Sequence, residues 1–245
     1  MPATSRRERT VVPRQTGRSG TSARILDAAE RVVQTRGFAS FSYASVAAEL
    51  HITKAALHYH YPGKAELGLA LISRYAARFA GALAAIDASA KSAPAKLEGY
   101  IDLYADVLGE QKMCLCGMLA AEFETLTPPM RAEVVRFFGA NERWLEAVVE
   151  QGAGEHSMRG TGDARATAIL ILSALEGAML VARPCGDPGK FRAVAAALLA
   201  GLTGQPAGPP GLPAGPAGLT GLPAGLTGLP AQASSDAPRA RPARP

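Results

Sequence analysis

The sequence predicts an all-α protein, with a three-helix N-terminal unit built on a helix-turn-helix and a larger helical body behind it. Three observations carry that expectation. Apolar residues recur at three- and four-residue spacings across residues 21–203. No convincing strand-turn-strand pattern interrupts them. Breaks at Gly37, His51, Pro62, Pro94, Pro128 and Pro188 divide the chain into helix-length pieces.

The first helix runs from about Ser22 to Arg36 and places Ile25, Ala28, Ala29, Val32 and Val33 on one face, fit to pack on the helix-turn-helix. Ser42 is a good N-cap for the second, Tyr43 to Leu50, with Val46, Ala47 and Leu50 at helical spacing. His51 and Ile52 interrupt it. Thr53 caps a third, short helix in which Ala56, Leu57 and Tyr61 can turn inward while Lys54, Ala55, His58, Tyr59 and His60 face out. Pro62 and Gly63 stop it. A helix of about seven residues is roughly 10 Å long, too short to persist alone but well sized for a DNA major groove. Ala55 and Ala56 allow close approach to bases, Lys54 and Lys64 bracket the helix with positive charge, and the hydroxyl and imidazole groups between them can donate to phosphates or base edges. Three histidines here also invite a metal reading. Without interleaved cysteine or spaced carboxylates, no metal and no cofactor is expected.

This segment resembles the DNA-binding domain of TetR-type (TetR/AcrR) transcriptional regulators. The family pattern of an ILDAA-like first-helix core, a Gly-Phe corner, a cap, an Ile-Ala pair, a Val-Ser-Lys turn and a Leu-Tyr-x-His-Phe recognition helix has counterparts here. They are Ile25-Leu26-Asp27-Ala28-Ala29, Gly37-Phe38, Phe41-Ser42, Val46-Ala47, Ile52-Thr53-Lys54, Leu57-His58-Tyr59-His60-Tyr61 and Gly63-Lys64, spread over about fifty residues. The resemblance implies DNA contacts from Ser42, Tyr43, Thr53, Lys54, Ala55, Ala56, His58, Tyr59, His60 and Lys64. It departs from the pattern at His51, where glycine is usual and a positive-φ backbone is expected, at His58 for tyrosine and at Phe41 for threonine.

The fourth helix, Lys64 to about Ala88, leaves this unit through Leu67, Leu71, Tyr75, Phe79 and Leu83, a continuous rod suited to mechanical linkage. Pro94 opens a fifth helix to about Glu110, a sixth spans Cys114 to Thr125, and Thr127-Pro128-Pro129 starts a seventh reaching about Gln151. The last two run from about Asp163 to Ala182 and from Pro188 to Gly201. Ala174, Gly177, Ala178 and Val181 on the eighth, with Phe191, Val194, Ala195, Leu198 and Leu199 on the ninth, form the candidate dimer interface. The same residues would also serve as core within one chain. The resemblance implies a homodimer through these two helices, and hence two recognition helices on a palindromic operator in double-stranded DNA.

The expected division is a basic, disordered arm at 1–20, the DNA-binding domain at 21–68, the regulatory and dimerisation domain at 69–203, and a disordered Gly/Pro/Ala-rich tail at 204–245 with near-repeats GLTG and GLPAG. The formal charge is +5. Five arginines against Glu8 in the arm, and three against Asp236 in the tail, leave about −1 for the middle, so DNA affinity there must come from local placement. The arm can add phosphate contacts or simply solubilise. Nothing resembles a secretion signal, and the longest apolar run, Ala166 to Leu175, is about ten residues against the roughly twenty that cross a bilayer. A cytoplasmic protein without membrane contact is expected. Three cysteines do not suggest a disulfide framework.

Two sensing chemistries stand side by side. Met113-Cys114-Leu115-Cys116-Gly117-Met118 is sulfur-rich, and Lys112 or a helix N-terminus could lower a thiol pKa and favour electrophiles or oxidation; both cysteines could equally be small buried apolar residues. Alternatively Tyr100, Tyr104, Met113, Met118, Phe123, Phe137, Trp144, Glu176 and Met179 line a largely apolar cavity for a small-molecule effector. The function that results is a sequence-specific regulator, a repressor released by its inducer. Rival readings are a helical dimeric binding module that does not read DNA, and a thiol-based enzyme using Cys114 or Cys116. No Ser-His-Asp order, phosphate-cradling loop or paired-carboxylate site supports catalysis, so no enzyme is expected.

Overall fold

A computed structural model of the chain describes residues 16–159 and 162–204. Among these residues the fold is entirely helical: α1 Thr16–Arg36, α2 Tyr43–Leu50, α3 Lys54–His60, α4 Lys64–Ser89, α5 Ala93–Gly109, α6 Leu115–Ala121, α7 Pro128–Gly154, α8 Ala164–Ala182 and α9 Pro188–Thr203. The expectations for most of the basic arm and for the Gly/Pro/Ala-rich tail lie outside the described residues.

The boundaries have local causes. Ser42, Thr53, Ser92 and Asp163 each accept a backbone N–H from the first turn of the helix they precede. Prolines occupy first-turn positions of α5, α7 and α9, where no helical N–H is lost. Gly204, with φ 73°, closes α9 in the left-handed region. The sixth helix is shorter than the sequence suggests: it ends at Ala121, and a single 3-10 turn covers Phe123–Thr125.

The first three helices pack around Ile25, Ala28, Ala29, Val33, Phe41, Val46 and Leu57. Leu67 and Leu71 of α4 close the same core, so the rod begins inside the N-terminal unit. Gly68 has a steric reason: a Cβ there would lie 2.6 Å from Met130 Cε and 3.0 Å from the Phe38 ring. Further along, α4 packs with α5 and α7, and these two with α8, around Tyr75, Leu97, Tyr100, Tyr104, Leu145 and Leu175. By length and composition α4 and α8 could each cross a membrane, more than the ten-residue run in the sequence suggests. The buried part of each packs on other helices of the same chain, α7 above all, while Leu170 and Val181 of α8 stay exposed.

Side-chain staples join the N-terminal unit to the body. Arg74 of α4 binds Asp27 at 2.7 Å and Glu30 at 2.8 Å, and Arg78 also pairs with Glu30. Gln34 of α1 and Met113 make a reciprocal pair: Gln34 Nε2 donates to the Met113 carbonyl and the Met113 N–H to the Gln34 carbonyl, both at 3.1 Å. Glu122 accepts the Ala39 N–H at 2.7 Å, and Arg183 donates to the Thr35 carbonyl.

Candidate functional site

Two groups of residues have functional character: the outward face of α3, and a polar cluster inside the larger body.

At α3, Leu57 is buried and Ala56 and Tyr61 are half-buried, while Lys54, Ala55, His58 and Tyr59 are exposed. Tyr59 reaches 65 % exposure, high for so large a ring, and stands edge-on to His60, which is half-buried. Ser42 and Thr53 spend their side-chain oxygens on the caps of α2 and α3, which leaves the hydroxyl hydrogens to serve elsewhere; that of Ser42 points at Ser45. Tyr43, expected at the DNA surface, has its hydroxyl engaged within the N-terminal unit. Its hydroxyl donates to the carbonyls of Tyr61 and Gly63, at 2.9 and 2.6 Å, and burial pushes its pKa up to about 12. A phenol has one hydrogen to give, and here it fixes the end of α3 against α2. The His58 ring lies 4.6 Å from that of Tyr43, and its Nδ1 is 3.0 Å from the Pro62 carbonyl, so His58 is oriented from both sides. Lys64 lies over the Phe38 ring at 4.6 Å, with burial lowering its pKa.

His51 adopts φ 53° and ψ 41°, the left-handed conformation expected from its place in the turn. Its N–H reaches back to α2, and Ile52 closes the turn by donating to Ala47 at 3.0 Å.

In the larger body, Tyr75 of α4, Tyr100 and Tyr104 of α5, Cys114 before α6, Asn141 of α7 and Glu176 of α8 come together. Tyr100 donates to Asn141 Oδ1 at 3.0 Å and its oxygen is 3.2 Å from that of Tyr104; Tyr75 donates to Cys114 Sγ at 3.7 Å. Phe79 packs edge-on to Tyr100, Tyr104 and Phe137, and Trp144 stacks on Tyr100. Glu176 reaches in because Gly117 has no side chain: a Cβ there would collide with its carboxylate. One carboxylate oxygen is buried with no hydrogen-bond partner among the described residues. Burial raises the Glu176 pKa, partly offset by hydrogen bonds from Cys114 and Tyr104.

The cysteines correct one expectation. Lys112 is held by Glu110 at 2.6 Å and does not polarise them. The Gly117 N–H does point at Cys114 Sγ, but burial, and after it the charge of Glu176, push both thiols well up. Cys114 and Cys116 are therefore thiols in the resting protein. Of the other residues proposed to line a cavity, Met113 and Met179 are buried nearby in the core, and Met118 receives Arg183 Nη1 at 3.7 Å. Phe123 is placed elsewhere, half-buried under the Arg131 guanidinium. Polar residues whose side-chain bonds the sequence did not foreshadow include Gln34, Asn141 and Arg183. The one available signal was a polar side chain on an otherwise apolar helix face, which Gln34 beside Val33 and Asn141 near Phe137 both show.

Residues 25–71 match the family model described as bacterial regulatory proteins, tetR family, and residues 93–198 match the tetracyclin repressor-like C-terminal domain. Among solved structures, a TetR-family transcriptional regulator from Agrobacterium tumefaciens is 30 % identical with a TM-score of 0.74, the match covering 76 % of this chain and 99 % of that one. A TetR transcriptional regulator from Legionella pneumophila is 31 % identical with a TM-score of 0.67, covering 73 % and 95 %. A TetR-family regulator from Streptomyces coelicolor, at 23 % identity and a TM-score of 0.62 over 75 % and 92 %, shares the fold. No curated protein matches the chain.

Proposed function

Since this chain belongs to the tetR family of bacterial regulatory proteins, a family of DNA-binding transcriptional regulators, we propose that it is a cytoplasmic homodimeric repressor that binds a palindromic operator and leaves it when a small molecule occupies the larger body. The observation that carries the reading is the outward face of α3, where Lys54, Ala55, His58 and Tyr59 stand exposed on a helix capped at Thr53 and tied at its far end by Tyr43. A short helix held at both ends presents bases with a rigid reader, and its lysine supplies the salt-dependent phosphate attraction. Ser42, Thr53, Ala56, His60 and Lys64 frame that face.

The dimer is supported by apolar residues left at the surface of α8 and α9: Leu170, Val181 and Val194 are 57, 61 and 41 % exposed. A second copy of the same pair of helices covers them in an isologous contact. For the effector, the protonated and buried state of Cys114 and Cys116 favours noncovalent occupancy over thiolate chemistry. The tyrosines, Asn141 and Glu176 are polar anchors in an apolar setting. An effector that fits better when the two α3 helices are farther apart draws the dimer off DNA, with α4 as the connecting rod.

Selection of binding sites from random duplexes at a stated salt concentration tests the reading. The wild type enriches a palindrome, and a Lys54→Ala/Tyr59→Ala variant that folds normally loses it. No enrichment by the wild type at low salt would leave the protein as a helical binding module.

A further inference from the structure

The end of α8 and the segment before α6 border a solvent-open cleft of about 400 Å3, lined by Met113, Leu180, Arg183 and Pro184. That volume is in the range of small-molecule sites. Three walls are apolar and the fourth is a cation. The Arg183 guanidinium donates to the Thr35 carbonyl and lies 3.7 Å from Met118 Sδ, two neutral acceptors, and among the described residues no carboxylate pairs with it. A half-buried guanidinium with only neutral acceptors keeps most of its attraction for an anion. Its present partner is also informative. Thr35 is in the last turn of α1, where carbonyls lack helical donors and carry the negative end of the helix dipole, so Arg183 acts as a C-terminal cap on a helix of the N-terminal unit.

We propose that this cleft binds a small amphipathic organic anion, a monocarboxylate with an apolar chain, whose carboxylate takes Arg183 while the chain lies on Leu180 and Pro184, above the buried Met113. Neither Leu180, Arg183 nor Pro184 belongs to the cluster around Glu176, so this is a second site, whatever occupies the first. A carboxylate is a stronger acceptor for guanidinium than a peptide carbonyl. Binding therefore draws Arg183 away from Thr35 and uncaps α1. Met113 adds to the effect, since the same residue forms a cleft wall and holds Gln34 one position before Thr35. The anion thus acts on the end of α1 that leads into the helix-turn-helix.

Calorimetric titration of the full chain with octanoate, and with neutral octanamide of the same shape, reads the site directly and independently of any operator. Octanoate should bind about tenfold or more tightly than the amide, and the ratio should fall to about one in Arg183→Gln. Since Arg183 also caps α1, a second variant guards against loss of folding: Pro184→Glu, at an exposed turn position, leaves the arginine in place and sets a competing carboxylate beside it. It too should abolish the preference. Equal binding of acid and amide by the wild type, no binding of octanoate, or a preference that survives in folded Pro184→Glu overturns the proposal. Hydrogen exchange at residues 36–39 reads the coupling: octanoate should speed it, and unchanged exchange in the bound protein rules out uncapping.

Discussion

Glu176 is an acid placed where its charged form is poorly supported: one oxygen is buried without a partner, and its neighbours are a thiol and a phenol. An acid whose pKa rises on folding holds its proton more tightly in the native state than in the unfolded chain. Its contribution to stability is therefore best at low pH and is lost as pH climbs from the ordinary value near 4.5 through the raised one. Replacing Glu176 with glutamine removes the ionisation and keeps the shape. Urea denaturation at pH 5 and pH 8 should find the wild type losing more stability across that interval than Glu176→Gln, with the variant the more stable of the two at pH 8. Parallel pH profiles would mean that the carboxylate is ionised in the native protein at both values. The sequence singled out Glu176 and the two cysteines but not their chemical state. The tilt of each pKa depends on burial and on partners brought from other helices, which no local pattern records. Tyr43 is a similar case, since the carbonyls that take its hydrogen belong to the far end of another helix.

Between α2 and α3 the chain turns through a left-handed residue that is not glycine. His51 at φ 53° carries a steric cost of about 1 kcal/mol relative to glycine in the same conformation. His51→Gly should therefore raise Tm by roughly 2–4 °C for a chain of this size and leave the selected DNA sequence unchanged. A lower Tm in differential scanning calorimetry would show that the imidazole makes a contact worth more than the strain. This turn, the bounds of α2 and the start of α3 were readable in the sequence because caps and turns are decided by residues a few positions apart, such as Ser42 with Ser45 and Thr53 with Ala56. The sixth helix was not. Its break at Glu122 coincides with that carboxylate holding the Ala39 N–H of the N-terminal unit, a contact between residues remote in sequence. Likewise α1 begins at Thr16, earlier than the apolar spacing that marks its packed face.

At the scale of the whole molecule, the proposed dimer makes DNA affinity depend on two α3 helices acting together. Placing a charge on the apolar surface of α8 with Val181→Glu should convert the protein to monomers in sedimentation analysis and weaken operator binding by tenfold or more, since the second half-site contact ceases to be intramolecular. A variant that stays dimeric would move the interface off α8. The sequence made these helices visible as apolar, but spacing alone cannot divide an apolar face between its own core and a partner. Within the single chain Val181 is exposed while Ala178 and Phe191 are buried, which makes Val181 the residue to test. Trp144, the single tryptophan of the chain, lies on Tyr100 at 5.5 Å between ring centroids, its indole N–H bound to Asp87. The protein thus carries one indole fluorophore, built into the wall of the Glu176 cluster and absent from the helix-turn-helix unit. A compound that shifts its emission has been felt in that wall, and one that frees the operator while the emission stays constant has acted through another door.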